Sequence, residues 1–357
     1  MIICVILIGL ICLYQIRFAC SENNKTVLSD GIYNDYLSID KTNSVKGIFV
    51  LLIFFSHCSA YLNLSDHILN KLYDWFNYGY LGQGIVAVFL FYSGYAMMLS
   101  GMEKGSSYVK SIPAKRVLKV LLHFDIAVCI FSIVQILLGK DITIGRFLLS
   151  LVGWSSVGNS NWYIFAILIF YLITYFAFLI GTDNKHIVLL TVFILTAVFV
   201  ALMSIAKESY WYDTALLYPL GMVWYSYRDK IESLFKKKKW LIYVAVAVLI
   251  CVNLASLLLE YFIFKMIQYA SLGLIIILLT MKVQIHNKIL GFFGRHLFSI
   301  YILQRLPMNV LSYFGLDSKP IIFIALSFLV TIAVAIPFDM LLNKIDSCIF
   351  SRKSKSN

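Results

Sequence analysis

The sequence predicts an all-α polytopic membrane protein: a bundle of about ten transmembrane helices with an extra N-terminal helix. Three observations predict it. The 357 residues are 61% hydrophobic and only 13% charged, with a mean hydropathy of +0.85, whereas a soluble domain is near half apolar and about a quarter charged. Apolar runs of about 20 residues recur between short polar joints, the length a helix needs to cross lipid with its backbone satisfied. No period-two pattern marks a barrel. The formal charge of +12 sits in the joints, where it reports orientation and not an affinity for nucleic acid.

In chain order, residues 1–19, MIICVILIGLICLYQIRFA, read as a retained helix. No cation precedes the apolar run, and cleavage would export residues 20–45 and invert every later span against its basic loops. Residues 20–45 read as a juxtamembrane linker. Ten spans follow near 46–63, 81–100, 117–138, 161–181, 186–206, 210–226, 240–259, 262–281, 297–314 and 320–343. The joints at 101–119, 226–240 and 282–296 and the tail after 343 hold most of the lysines and arginines. By the positive-inside rule these ends, with the C-terminus, lie in the cytoplasm. The 139–160 joint is the longest on the other side and carries an amphipathic run beside a Gly, Ser and Asn-rich end. The seven cysteines show neither paired metal spacing nor a disulfide framework, so no metal is expected. The triplets at Asn24 and Asn63 are too short a pattern to assign a compartment.

The polar residues inside the spans are the candidates for chemistry. KGIFVLLIFFSH, residues 46–57, carries His57 into an apolar run, with Lys46 about 16 Å back along the same helix face. An imidazole at that depth is costly without a partner or a cavity, which makes it either a proton-transfer group or a hydrogen bond between helices. Arg116 and Lys119, at i and i+3, share a face at a helix start, where they can hold phosphates or mark the basic side. His123 and Asp125 point to different faces. Ser93 and Tyr95 flank Gly94, which either packs helices closely or opens room for a ligand. Asn161, Trp162 and Tyr163 read as an interfacial anchor or a sugar platform. Arg305 needs cover, with Asp339 as a counter-ion and Pro307 loosening the backbone nearby.

Six stretches, in order, resemble the integral-membrane acyltransferase family 3, whose members O-acetylate bacterial surface glycans. They are KGIFVLLIFFSH, GYLGQGIVAVFLFYSGYAMM, KRVLKV, NWYIFAILIFYL, YWYDTALLYPLGMVWYSYRDKI and FGRHLFSIYILQRLP. The resemblance covers about residues 38–345 and implies a ten-helix acyltransferase domain over 46–345, followed by a basic tail at 346–357, in a bacterial plasma membrane. It implies His57 as catalytic base, Lys46 in the place of a functional arginine, and Arg116 with Lys119 on the donor side. Ser93, Tyr95, Asn161, Trp162 and Tyr301 would then meet substrate. Acetyl-CoA or another acyl-CoA would be the donor, and a cell-envelope glycan or lipid-linked sugar the acceptor. Lys46 and Lys119 stand where the family has arginines, losing the bidentate fork, and Gln304 stands where many members have histidine. The rival class is a transporter or flippase of lipid-linked sugars, which buried charges also fit; a non-catalytic assembly partner is the third reading.

Overall fold

The computed structural model describes residues 6, 9–11, 16–18, 31–62, 68–259, 261–285 and 287–350. Asn24, Asn63, Glu260, most of 1–30 and the tail beyond 350 lie outside the described residues. The architecture is helical, as the hydropathy requires. The first helix, α1 (Ile39–Ser59), begins ahead of the expected residue 46 because Ser38 caps it, accepting from the Lys41 backbone N–H at 3.4 Å, and Asp40 sits in its first turn. Part of the expected linker is therefore helix. The expected N-terminal helix also needs correction. Residues 9–11 are helical, but β1 (Ile16–Phe18) is a short strand antiparallel to β2 (Val283–Ile285), with Arg17 opposite Gln284. That pairing satisfies backbone groups that the end of a helix would leave open.

Short α2 (Ile68–Phe76) leads into α3 (Gly84–Ile112), a π-helical turn (Pro113–Leu118) and α4 (Lys119–Leu137). The stretch from Gly84 to Leu137 is one continuous helical run of 54 residues, about 80 Å of helix against a hydrocarbon core of about 30 Å. It therefore crosses twice, and Gly105 makes the reversal: its φ of 60° and ψ of −151° are open to glycine but strained for other residues. The proof is local, since the Tyr108 hydroxyl reaches the Met97 sulfur at 3.1 Å. Next come α5 (Ile144–Leu151), a short helix within the amphipathic run of the 139–160 joint, then α6 (Trp162–Gly181) and α7 (Lys185–Ala206).

Helices α8 (Leu217–Lys237) and α9 (Leu241–Leu257) meet at a bend of 112°. The expected span at 210–226 is thus shifted: residues 212–216 turn, and the helix carries its charged end to Lys237. After α10 (Phe262–Lys282), the span expected over 297–314 is broken into α12 (Leu297–Leu303) and α13 (Arg305–Tyr313), preceded by α11 (Lys288–Arg295). Pro307 explains the break, because its ring conflicts with the carbonyl of Leu303 four residues back. The last helix, α14 (Pro320–Ile349), completes the bundle. Among the described residues, six stretches are long and apolar enough to cross a membrane, seven if α8 and α9 count as one bent span.

Two glycine pairs draw backbones together. A Cβ on Gly94 would strike the Tyr218 carbonyl oxygen, and one on Gly221 would strike that of Phe91, so α3 and α8 touch main chain to main chain. Gly47 against Leu290 and Gly294 against Asn43 do the same for α1 and α11. Close packing is thus what Gly94 provides.

Candidate active site

Helix α1 presents polar side chains to two cavities, one near each of its ends. The first, of about 370 Å³, is lined by Lys46, Arg116 and Arg295 together with Tyr92, Ser93, Tyr163 and Tyr171. Lys46 lies 5.5 Å from the centre of the Tyr92 ring. The Arg116 Nε donates to the Tyr108 hydroxyl at 3.2 Å, and its guanidinium stands 5.9 Å from that ring. Ser93 faces both Tyr163 and Tyr171. Among the described residues no carboxylate lines this cavity. Three cations without an internal counter-ion form a site for an anion, and arginine matches phosphate oxygens in particular.

Arg116 and Lys119 do not share a face. From Pro113 the helix runs as a π turn, closed by the Lys119 N–H on the Ala114 carbonyl, five residues back. The extra residue in that turn rotates the following positions relative to an α-helix. Arg116 turns inward to Tyr108, while Lys119 pairs with Asp346 of α14 at 2.6 Å. The same carboxylate bonds the His123 ring at 2.8 Å. Lys119 is therefore a strut between α4 and α14.

His57 sits in the last turn of α1. Its ring centre is 6.4 Å from that of Tyr301, which in turn stands 5.7 Å from Tyr163 on the wall of the cationic cavity. The His57 Nδ1 is enclosed without a hydrogen-bond partner. Its neighbour Ser56 lines the second cavity, of about 840 Å³, with Gln83, Glu208, Asp213 and Lys265. His57 itself lines neither cavity: it is linked to the first through the ring contacts of Tyr301 and Tyr163, and to the second only through Ser56, its neighbour in sequence.

Arg305 acts electrostatically on both His57 and Tyr301. Its Nε donates to the Tyr61 hydroxyl at 3.3 Å, that hydroxyl donates to Asn309 Oδ1 at 2.8 Å, and Asn309 Nδ2 donates to the Gly158 carbonyl at 3.1 Å. This chain ties α13 and the end of α1 to the loop before α6. Asp339 is not the counter-ion of Arg305: it accepts from Ser299 and pairs with His296. Gln304 is fully buried and donates to the Tyr301 carbonyl at 3.1 Å, which places it as a support for Tyr301.

Of the residues singled out by sequence, the structure brings Lys46, Ser93 and Arg116 to one cavity and sets His57 and Tyr301 beside it. The others go elsewhere. Tyr95 accepts from Arg228 Nη1 at 2.9 Å, and Asn161 caps its loop by donating to the Gly153 carbonyl at 2.8 Å. Trp162 packs edge-on against Tyr163 and Tyr210. Outside the spans, Lys207 donates to the Trp154 carbonyl at 2.8 Å beneath the Trp154 and Trp211 rings, and loss of hydration there lowers its pKa. Sequence reasoning missed Arg295 and Tyr171, and read Tyr163 with Asn161 and Trp162 as an interfacial anchor or sugar platform, whereas it lines the cationic cavity. Arg295 lies in a basic joint that reads as an orientation signal, and Tyr171 lies among other span aromatics.

Neither the comparison with curated proteins nor that with solved structures returns a match. A family model described as an acyltransferase domain matches residues 39–340, from the first turn of α1 to α14. That range contains the residues lining both cavities as well as His57, and the chain accordingly belongs to acyltransferase family 3 and is an integral-membrane acyltransferase.

Proposed function

We propose that the protein moves an acyl group, acetyl in the first instance, from acyl-CoA to a hydroxyl of a cell-envelope glycan or lipid-linked sugar. The donor enters from the cytoplasmic face, where the positive-inside rule puts the basic ends. Its phosphates meet Lys46, Arg116 and Arg295, and its thioester reaches toward Ser93, Tyr163 and Tyr301. The acceptor hydroxyl approaches from the opposite cavity past Ser56. His57 takes the hydroxyl proton as the oxygen attacks the thioester carbonyl, the C–O bond forms, the C–S bond breaks, and the CoA thiolate leaves and is protonated. Arg305, beside His57 and Tyr301, stabilises negative charge developing at the reacting carbonyl.

The observation that carries this reading is His57, its Nδ1 enclosed without a partner, in ring contact with Tyr301, which packs on Tyr163 in the wall of a cavity lined by three cations and, among the described residues, no carboxylate. The test is transfer of radiolabelled acetyl from acetyl-CoA to envelope glycan in membranes carrying wild type, His57→Ala or Arg116→Ala at matched abundance. Label in wild type with little in either variant supports the roles given; equal label in all three removes them.

A further inference from the structure

The second cavity has a chemical bias of its own. Its enclosed polar atoms that lack a partner are all acceptors: Asn77 Oδ1, Gln83 Oε1 and Asp213 Oδ1. The amide of Asn77 is oriented by its own bond, since Nδ2 donates to the Ser59 hydroxyl at 3.2 Å and leaves the carbonyl oxygen facing inward. The Gln268 Nε2 is likewise spent on the Gly79 carbonyl at 2.9 Å. Asp213 is 2% exposed, so its free oxygen is not satisfied by bulk water. Buried acceptors without donors are costly and are normally paired. A ligand that brings several donors would pair all three.

The walls say more about that ligand. Trp75 and Tyr210 border the cavity, and aromatic faces cover the C–H surface of a sugar ring while its hydroxyls reach polar atoms at the rim. At about 840 Å³ the space is at the upper end of ordinary small-molecule sites, which run from about 300 to 1,000 Å³. The lining carries two carboxyl groups, Glu208 and Asp213, and one cation, Lys265; burial raises the Asp213 carboxyl to about 7, against the opposing pull of Lys265. An acidic glycan would set its carboxylates against Glu208 and the unpartnered acceptor oxygens of Asn77 and Gln83. This sets the cavity apart from the first, whose charge is entirely positive.

We propose that this cavity is a sugar subsite that takes neutral or amino-bearing sugars and rejects acidic ones. The proposal rests on the acyltransferase reading for its purpose but not for its test, because binding is measured without any acyl donor. The probes are tetramers of N-acetylglucosamine, of glucosamine and of galacturonic acid, titrated against the full-length protein in lipid nanodiscs and followed by tryptophan fluorescence. The first two are expected to bind at least tenfold more tightly than the third. Gln83→Leu and Trp75→Ala should each weaken the tighter ligands about five- to tenfold, and Asp213→Asn should narrow the gap to the acidic tetramer.

Equal or tighter binding of the galacturonate, no binding of any tetramer, or affinities untouched by Gln83→Leu and Trp75→Ala would each overturn the subsite. If His57→Ala leaves acetyl transfer intact while the binding preference stands, it is the base assignment that fails. If transfer proceeds onto an acidic glycan, the preference fails and the acyltransferase reading survives.

Discussion

In the proposed reaction His57 and Arg116 serve different stages, so their substitutions should fail in different ways. Replacing His57 with alanine removes the imidazole that packs on Tyr301, and general-base catalysis of the kind proposed for it is worth about 10² to 10⁴ in rate. The expected result is a loss of that order in kcat with donor KM little changed, read from initial rates of acetyl transfer. Arg116 instead contributes a charge-assisted hydrogen bond to the donor, about 1.5–3 kcal/mol. Arg116→Ala should therefore raise the KM for acyl-CoA by roughly tenfold or more. Lys119→Ala provides the contrast. Because Lys119 is bound to Asp346 and not to the cationic cavity, its loss should leave the donor KM near wild type and lower the thermal stability of the α4–α14 contact. A rise in KM equal to that of Arg116→Ala would place Lys119 back on the donor.

At the scale of elements, the π turn at Pro113–Leu118 does most to separate those two cations. Proline at its start supplies no N–H, and the ladder closes one residue late. Pro113→Ala restores the missing donor, and a regular helix should then carry Arg116 round toward the side of Lys119. The measurable outcome is a donor KM raised toward that of Arg116→Ala in a protein that still folds; an unchanged KM would mean the turn owes nothing to Pro113. The α3–α8 contact predicts a different defect. Gly94→Leu pushes a side chain into the Tyr218 carbonyl, and overpacking of this kind costs about 1–3 kcal/mol, seen as earlier melting in detergent. Much of this was legible beforehand and some was not. Spans such as 161–181 and 186–206 were readable because about 20 apolar residues in a row permit little else in lipid. The break at Gln304 was visible only as a proline. The start of α1 depended on a cap at Ser38 lying in polar sequence that looks like linker. The pairing of Asp339 with His296 and Ser299 in place of Arg305 joins residues on different helices, and no period in one chain records which faces meet. The outer cavity escaped for the same reason, since Asn77, Asp213 and Lys265 lie on three separate segments.

The whole molecule is asymmetric across the membrane, and its two cavities divide the charge accordingly. Lys46, Arg116 and Arg295 gather near the start of α1, while Glu208, Asp213 and a single lysine gather near its end. On the proposed function, an anionic donor and a sugar acceptor would approach from opposite faces without competing for one entrance and would meet at His57. That arrangement makes sidedness the property to test. Cys348 is exposed near the end of α14, on the side the basic joints assign to the cytoplasm. A variant keeping only this one of the seven cysteines should react with a membrane-impermeant maleimide in inside-out vesicles and not in right-side-out vesicles. Acyl-CoA does not cross lipid, so transfer should require it on the same face that labels Cys348, with the glycan on the other. Labelling on one face and donor use on the opposite face would reverse the assignment of the cationic cavity. Activity with both substrates supplied to a single face would mean that the cavities share an entrance.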